Sequence, residues 1–291
     1  MDESLKICPI PDSGLFKGLA KQNLLLHQAL GELIDNSIAA SNNDDQCIVH
    51  IFLRRKEHDL FDLLIADNSE GMDFPGLNEA LQLGHPPTSN NRLNEHGFGL
   101  KNSLATLTSG ERKWKIWSKK KNSDHFLSLE GPFSSEMYAQ RNATPPDEFN
   151  DMDVSTIVYA EVSLQYLQTI QRGRGRRTTE INDLGHRIAE HLGVMYRGYL
   201  TPGSRTGAKL LLDLHIINPG NVELIEINPI NIPYAKKIVE RFALNIDGEN
   251  VEFEYIHGIL DEVDRDRAVK INSEEYPCKY YYQKKYGNTR H

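Results

Sequence analysis

The sequence predicts an α/β fold, a sandwich of helices on a sheet, and two observations carry that reading. Apolar residues Leu26, Leu30, Ile34 and Ile38 recur four apart within 24–40, the period of a helix with one buried face. Short apolar runs at 63–65, 154–160, 210–217 and 222–227 have the length of buried strands. A chain of 291 residues with 39% hydrophobic content holds one large or two modest domains around a real core.

The elements follow in order. On the first helix Glu32 and Asn36 lie four apart and share a face, so a potential general base and a neutral oxygen ligand point into one space. The strand from Leu60 ends in Asp67-Asn-Ser-Glu-Gly71-Met72, which is turn chemistry. A carboxylate at that strand end can accept a hydrogen bond from an exocyclic amine, and Gly71 lets backbone pass close to a ring. His96-Gly97-Phe98-Gly99-Leu100-Lys101 opens a second helix, expected to reach Ser109 and stop at Gly110. Glycine-rich backbone at a helix start offers free N–H groups to an anion. Lys101 opposes the helix dipole in the first turn, and a phosphate would account for it.

Farther on, 113–121 alternates as a strand, with Trp114, Ile116 and Ser118 on one face and Lys115, Trp117 and Lys119 on the other. It is expected at a sheet edge or in a hairpin with a charged outer face. The stretch 142–151, with two prolines, reads as a surface loop. Ile181, Leu184, Ile188, Leu192 and Met195 mark a third amphipathic helix.

Each motif alone has an ordinary explanation: a solvated helix face, a capping aspartate, a plain Gly-x-Gly turn. Their order and spacing are specific. Glu-x-x-Asp-Asn, then a strand ending in Asp with Gly four residues on, then a loop and Gly-x-Gly-x-Lys, resembles the GHKL ATPase superfamily. Its members include DNA gyrase B, the ninety-kilodalton heat-shock chaperones, MutL, sensor histidine kinases and the microrchidia (MORC) ATPases. The run from Gly97 to Ser103 looks most like the MORC branch and its bacterial relatives.

The resemblance implies a two-layer, Bergerat-type ATPase domain over residues 1–173. It further implies a smaller α/β domain, similar to ribosomal protein S5 and either whole or cut short, over 178–291. Glu32 matches the base that activates water, and Asn36 the magnesium ligand. Asp67 matches the reader of the adenine amino group, with Gly71 and Met72 lining the adenine pocket. Gly97, Phe98, Gly99, Leu100 and Lys101 match the triphosphate loop, and 84–95 the lid before it. Thr156 resembles the strand threonine that supports the adenine aspartate; an ordinary β-branched strand residue explains it equally well. Two positions depart from the pattern: Ser69 and Asn94 stand where the family commonly has glycine. The implied ligands are ATP and Mg2+. The implied assembly is an ATP-dependent homodimer, an ATP-gated clamp in DNA-related processes or bacterial antiviral defence, with a further partner protein as an option. In gyrase and MutL relatives a second-domain lysine reaches the γ-phosphate; Lys209, Lys236 and Lys237 are the candidates.

Charge and composition restrict the rest. A net charge of −8 argues against a protein that coats DNA uniformly. Arg172, Arg174, Arg176 and Arg177 are nevertheless dense, and they are candidate nucleic-acid contacts as well as an ordinary basic linker. Cys8, Cys47 and Cys278 lack zinc-site or disulfide-framework spacing. With no long apolar run or signal peptide, a cytoplasmic protein without a membrane span is expected, or a nuclear one in a eukaryote. A heat-shock-type chaperone and a non-catalytic nucleotide sensor are the alternatives. A sensor kinase would need a helical phosphoacceptor pair ahead of the first motif.

Overall fold

A computed structural model of the protein describes residues 4–7, 13–22, 24–41, 46–82, 98–134, 136–171, 177–201, 209–230, 234–246, 248–260, 268–271 and 274–277. The chain divides into two compact units, 1–171 with 176–229, and 172–175 with 230–291.

The first unit runs β1 (Ser4–Ile7), α1 (Ser13–Leu19), α2 (Leu26–Ala39), β2 (Gln46–Arg55), β3 (Leu60–Asp67), α3 (Phe74–Leu81), α4 (Gly99–Leu107) and β4 (Trp114–Ser118). It continues through β5 (Phe126–Gly131), β6 (Met137–Ala143), β7 (Thr156–Ser163), α5 (Leu164–Leu167), α6 (Ile181–Met195), α7 (Arg197–Leu200), β8 (Lys209–Asn218) and β9 (Asn221–Glu226). These strands form one sheet in the order β1-β6-β5-β4-β7-β3-β2-β8-β9. Neighbours run antiparallel except β2 and β8, which are parallel with Gln46 opposite Lys209.

The strand period of two sorts the core into layers. Val49, Ile51 and Leu53 of β2, Leu63 and Ile65 of β3, Val158 and Ala160 of β7, and Leu212 and Leu214 of β8 face one way. There they pack with Leu26, Leu30 and Ile34 of α2, Leu104 of α4, and Leu184, Ile188 and Leu192 of α6. The intervening residues Phe52, Leu64, Ala66, Trp117 and Ile157 form a smaller cluster on the other face, closed by Phe149 and Val154. Strand β3 is therefore buried on both sides, which is why it reads as an unbroken apolar run. The α/β expectation holds, and each of the four apolar residues that predicted α2 is buried.

Three expectations need correction. The boundary near 173–178 is not where the described chain divides. Helix α6 covers β2 and β8, Gly185 of α6 lies against Ile216 and Leu214, and β8 pairs along β2, so 178–229 completes the first unit's sheet. Of the two placements expected for β4, the hairpin holds, with antiparallel β5, and the sheet edge does not, because β4 is interior between β5 and β7; its charged appearance comes from Lys115, which lies over the Trp117 ring and pairs with Glu130. The expected loop at 142–151 contributes Phe149 to the second cluster.

In the second unit β10 (Tyr234–Ile246) and β11 (Glu249–Leu260) make a long antiparallel ribbon, and β12 (Ala268–Ile271) pairs with β13 (Glu274–Pro277).

Candidate functional site

Asp67, Thr156 and Ser118 stand side by side across β3, β7 and β4, because the strand register aligns them. Asp67 is only 7% exposed. Its Oδ2 accepts from Ser37 Oγ of α2 at 2.9 Å. Its Oδ1 accepts from the Ser69 backbone N–H at 3.0 Å, from Ser69 Oγ, and from Ser155 Oγ at 3.4 Å. Burial raises the Asp67 carboxyl above the usual carboxylate range, and the hydrogen bonds from Ser69, Ser37 and Ser155 oppose that shift. Thr156 does not bond to Asp67. Its hydroxyl is 2.9 Å from Ser118 Oγ, which in turn accepts the Met72 N–H at 2.8 Å.

The turn after Asp67 is shaped by one glycine. Gly71 has φ +64°, and a Cβ there would collide with the backbone carbonyl of Lys119. Ser69 fits where the family has glycine because it does not occupy the positive-φ region. Met72 and Phe74 pack at the edge of the main core. Asp73 then caps α3 by accepting the Gly76 N–H at 3.0 Å.

Helices α2 and α4 meet at the second half of the site. Glu32 is solvent-accessible on α2, and Asn36 is half-buried one turn on. Gly99 opens α4 directly against Glu32, so a Cβ on Gly99 would collide with Glu32 Oε2. Partial burial raises the Glu32 carboxyl above its ordinary 4.5, and the Asp35 charge adds to the shift. Asp35 accepts from the Tyr196 hydroxyl at 2.8 Å, and the same hydroxyl lies 2.9 Å from the Gly31 carbonyl oxygen. The start of α4 thus faces the carboxylate end of α2, with no side chain at Gly99 to fill the gap. Phe98 is exposed beside it and Leu100 is partly buried against the core.

Lys101 lies elsewhere than expected. It is 1% exposed, and its Nζ donates to the carbonyl oxygens of Ala80 at 2.8 Å and Gln82 at 2.7 Å. These carbonyls end α3, where the helix dipole favours a cation. Burial lowers its ammonium to about 8.

The remaining expectations divide as follows. Gly97, Asn94, the lid 84–95 and Arg172, Arg174 and Arg176 lie outside the described residues, whereas Arg177 is exposed. Lys236 and Lys237 lie exposed on β10; the side chain of Lys209 is outside the described residues. Strand β1 pairs with β6, and Phe16 is buried with its ring stacked on Phe133 at 3.5 Å between centroids. Ser37, Ser155, Ser118 and Tyr196 were given no site role from the sequence, and Asp35 entered only as part of the Glu-x-x-Asp-Asn motif. Ser37, next to Asn36, and Ser155, next to Thr156, carried a signal by adjacency.

Residues 24–156 match the family model described as histidine kinase-, DNA gyrase B-, and HSP90-like ATPase. That segment is similar to GHKL-type ATPase domains. The GHKL match spans the acid of α2, the turn after β3, the head of α4 and Thr156. No curated protein matches the chain. A crystal structure of the N-terminal domain of a DNA repair protein aligns with 74% of this chain at 16% identity and a TM-score of 0.44. The aligned region spans 57% of that chain.

The described GHKL residues suit a magnesium nucleotide. Asn36 offers a hard amide oxygen, Gly99 leaves room for an anion at a helix start, and Asp67 is a buried acceptor beside a glycine turn. Among the described residues no group of three or more His, Cys, Asp or Glu is placed to hold a metal by itself. No described helix is long and apolar enough to cross a membrane.

Proposed function

We propose that the chain binds MgATP in the first unit and hydrolyses it slowly. The observation that carries this reading is the packing of α2 on α4, which sets Glu32 against the side-chain-free head of α4. Asp67 accepts the purine amine, and Gly71 and Met72 line the ring's pocket. Glu32 takes a proton from the attacking water as its oxygen bonds to the γ-phosphorus and the bond to the β-phosphate oxygen breaks. Asn36 orients the metal, and the N–H groups at 97–99 receive charge from the transferring phosphoryl group. Magnesium, when bound, neutralises charge on the β- and γ-phosphates.

Two variants test the reading together. Asp67→Asn should lower ADP affinity roughly ten- to a hundredfold, the size of a hydrogen bond to a charged acceptor. Glu32→Ala should keep ADP affinity and lose about 10²–10⁴-fold in turnover. Wild-type turnover in Glu32→Ala would remove the catalytic role, and unchanged affinity in Asp67→Asn would remove the adenine contact.

A second reading, a nucleotide sensor with little turnover, is favoured by Lys101, whose ammonium is committed to the end of α3. A pre-steady-state burst without appreciable steady turnover would select it. The finer reading is a MORC-like, ATP-gated dimerising clamp on DNA, with genome defence as its setting. Its support is the family match and the density of Arg172, Arg174, Arg176 and Arg177. Replacing these four by alanine should weaken duplex binding and flatten its salt dependence; identical salt titrations would leave them as linker.

A further inference from the structure

We propose that Tyr196, at the junction of α6 and α7, is a positioning residue that holds the working turn of α2 from behind and so sets the placement of Glu32 and Asn36. The inference rests on the ATP reading above. It extends the machinery to a residue beyond 24–156, the span of the family match.

Residues 31 and 35 lie one turn apart on one stripe of α2, and 32 and 36 lie on the next stripe, about 100° round the helix. A single hydroxyl bridges the first stripe. Tyr196 Oη is 2.9 Å from the Gly31 carbonyl oxygen and 2.8 Å from Asp35 Oδ1. Its one hydrogen is shared between those two acceptors. The hydroxyl therefore grips the residue before Glu32 and the residue before Asn36, and leaves both working side chains free to face a ligand.

The grip is rigid because Tyr196 belongs to two helices at once. Its N–H donates to the Leu192 carbonyl of α6 at 2.8 Å, and its own carbonyl accepts from Tyr199 and Leu200 of α7 at 2.9 Å each. The side chain is 3% exposed, with the Tyr199 ring set edge-on at 6.2 Å. The Gly31 carbonyl alone would satisfy a tyrosine that served only packing. Here the hydroxyl also holds the carboxylate that stands between the two working groups. Without that donor the half-buried Asp35 carboxylate has to turn toward another, and it takes the α2 turn with it. A displacement on the order of 1 Å at a reacting group is enough to slow a reaction about a hundredfold. The adenine side of the site does not depend on the grip, because β3 is held by its pairing with β2 and β7.

The test separates turnover from affinity on the full chain. Steady-state kcat is measured at saturating MgATP, and ADP affinity by calorimetry in chelator, for wild type, Tyr196→Phe, Asp35→Ala and the double variant. Tyr196→Phe keeps the ring and removes one oxygen; kcat should fall about tenfold or more while ADP affinity stays within about twofold. Asp35→Ala removes the acceptor and should show the same split, which decides the matter should Tyr196→Phe not fold. The double variant should lose no more than about twofold beyond Asp35→Ala, because the two residues act as one unit. Tyr199→Phe, at the same junction, makes no described hydrogen bond to α2 and should keep wild-type turnover. Losses that multiply in the double variant, or a parallel fall in kcat, ADP affinity and urea midpoint, would mean that Tyr196 only packs, and overturn the proposal. Wild-type kcat in Tyr196→Phe overturns it too and leaves the ATP reading intact. A wild type that binds ADP without turnover has no catalytic turn to position, and one that does not bind ADP removes the nucleotide reading itself.

Discussion

At the scale of single residues, Glu32 makes the sharpest demand on experiment. Its carboxyl must be ionised to take a proton from water. Burial and then Asp35 hold its pKa above 4.5. Activity is therefore expected to fall on the acid side at a pH above that ordinary value. Asp35→Asn removes the smaller cause, so the acid limb of kcat/KM should move to lower pH while the basic side stays put. A limb that does not move would show that Asp35 is not felt at Glu32. The same scale shows where reading a sequence stops. Glu32, Asn36 and Asp67 were legible because motif spacing fixes them. The hydroxyls of Ser37 and Ser155 reach Asp67 across 30 and 88 residues of chain, and only the register of β3 with β7 and the packing of α2 bring them there.

At the scale of elements, the glycines separate two kinds of close contact. Gly71 has a positive φ and faces a carbonyl that cannot move alone, so Gly71→Ala should cost at least about 2 kcal/mol, from backbone strain plus the clash. A Cβ on Gly31 would meet the terminal methyl of Met195 at 2.9 Å, on a half-exposed flexible side chain, and the Tyr196 hydroxyl at an ordinary 3.6 Å, so Gly31→Ala should cost less than about 1 kcal/mol. Urea unfolding of both variants checks the order, and a reversed order would contradict the packing of α2 against α6. Lys101 offers a second measurement. Its folded-state pKa of about 8 lies below its ordinary 10.5, so between those values the unfolded chain holds more protons than the folded one. The contribution of Lys101 to stability should therefore rise as pH climbs from about 8 to 10.5. Lys101→Met should lose that rise, read as the difference between the two proteins in denaturant midpoints across the interval. The half of the β4 expectation that failed, a sheet edge, belongs here too. An ammonium held over an indole makes an interior strand look half-solvated, and the cover over Trp117 comes from residues 149–154, which carry no strand or helix period.

At the scale of the molecule, the division after Pro229 governs what can stand alone. A chain ending at 229 should unfold in one cooperative step. A chain ending at 173 lacks α6 and β8, exposes the edge of β2 and the apolar face of α2, and should aggregate or fail to fold. Equal stability of the two fragments would mean that the sheet does not need its last strands. The fold class was legible from periods of 3.6 and 2. The extent of the domain was not, because a parallel partner for β2 leaves no local mark. Association is testable at this scale as well. If ATP drives a homodimer, sedimentation with a non-hydrolysable analogue should show mass that ADP and free protein lack. Phe16 and β1 are already accommodated within the chain's own unit, so the dimer contact is expected to lie elsewhere.

The parallel pairing of β2 with β8 also sets a clock on synthesis. Gln46 waits for Lys209, roughly 160 residues later, and at about 5–20 residues per second the delay on a ribosome is on the order of ten to thirty seconds. Throughout that interval the nascent sheet has an open, apolar edge at β2. Chains stalled before residue 209 should stay sensitive to protease, and release past 229 should bring protection in one step, because β8 and β9 are the last strands of the first unit to be made.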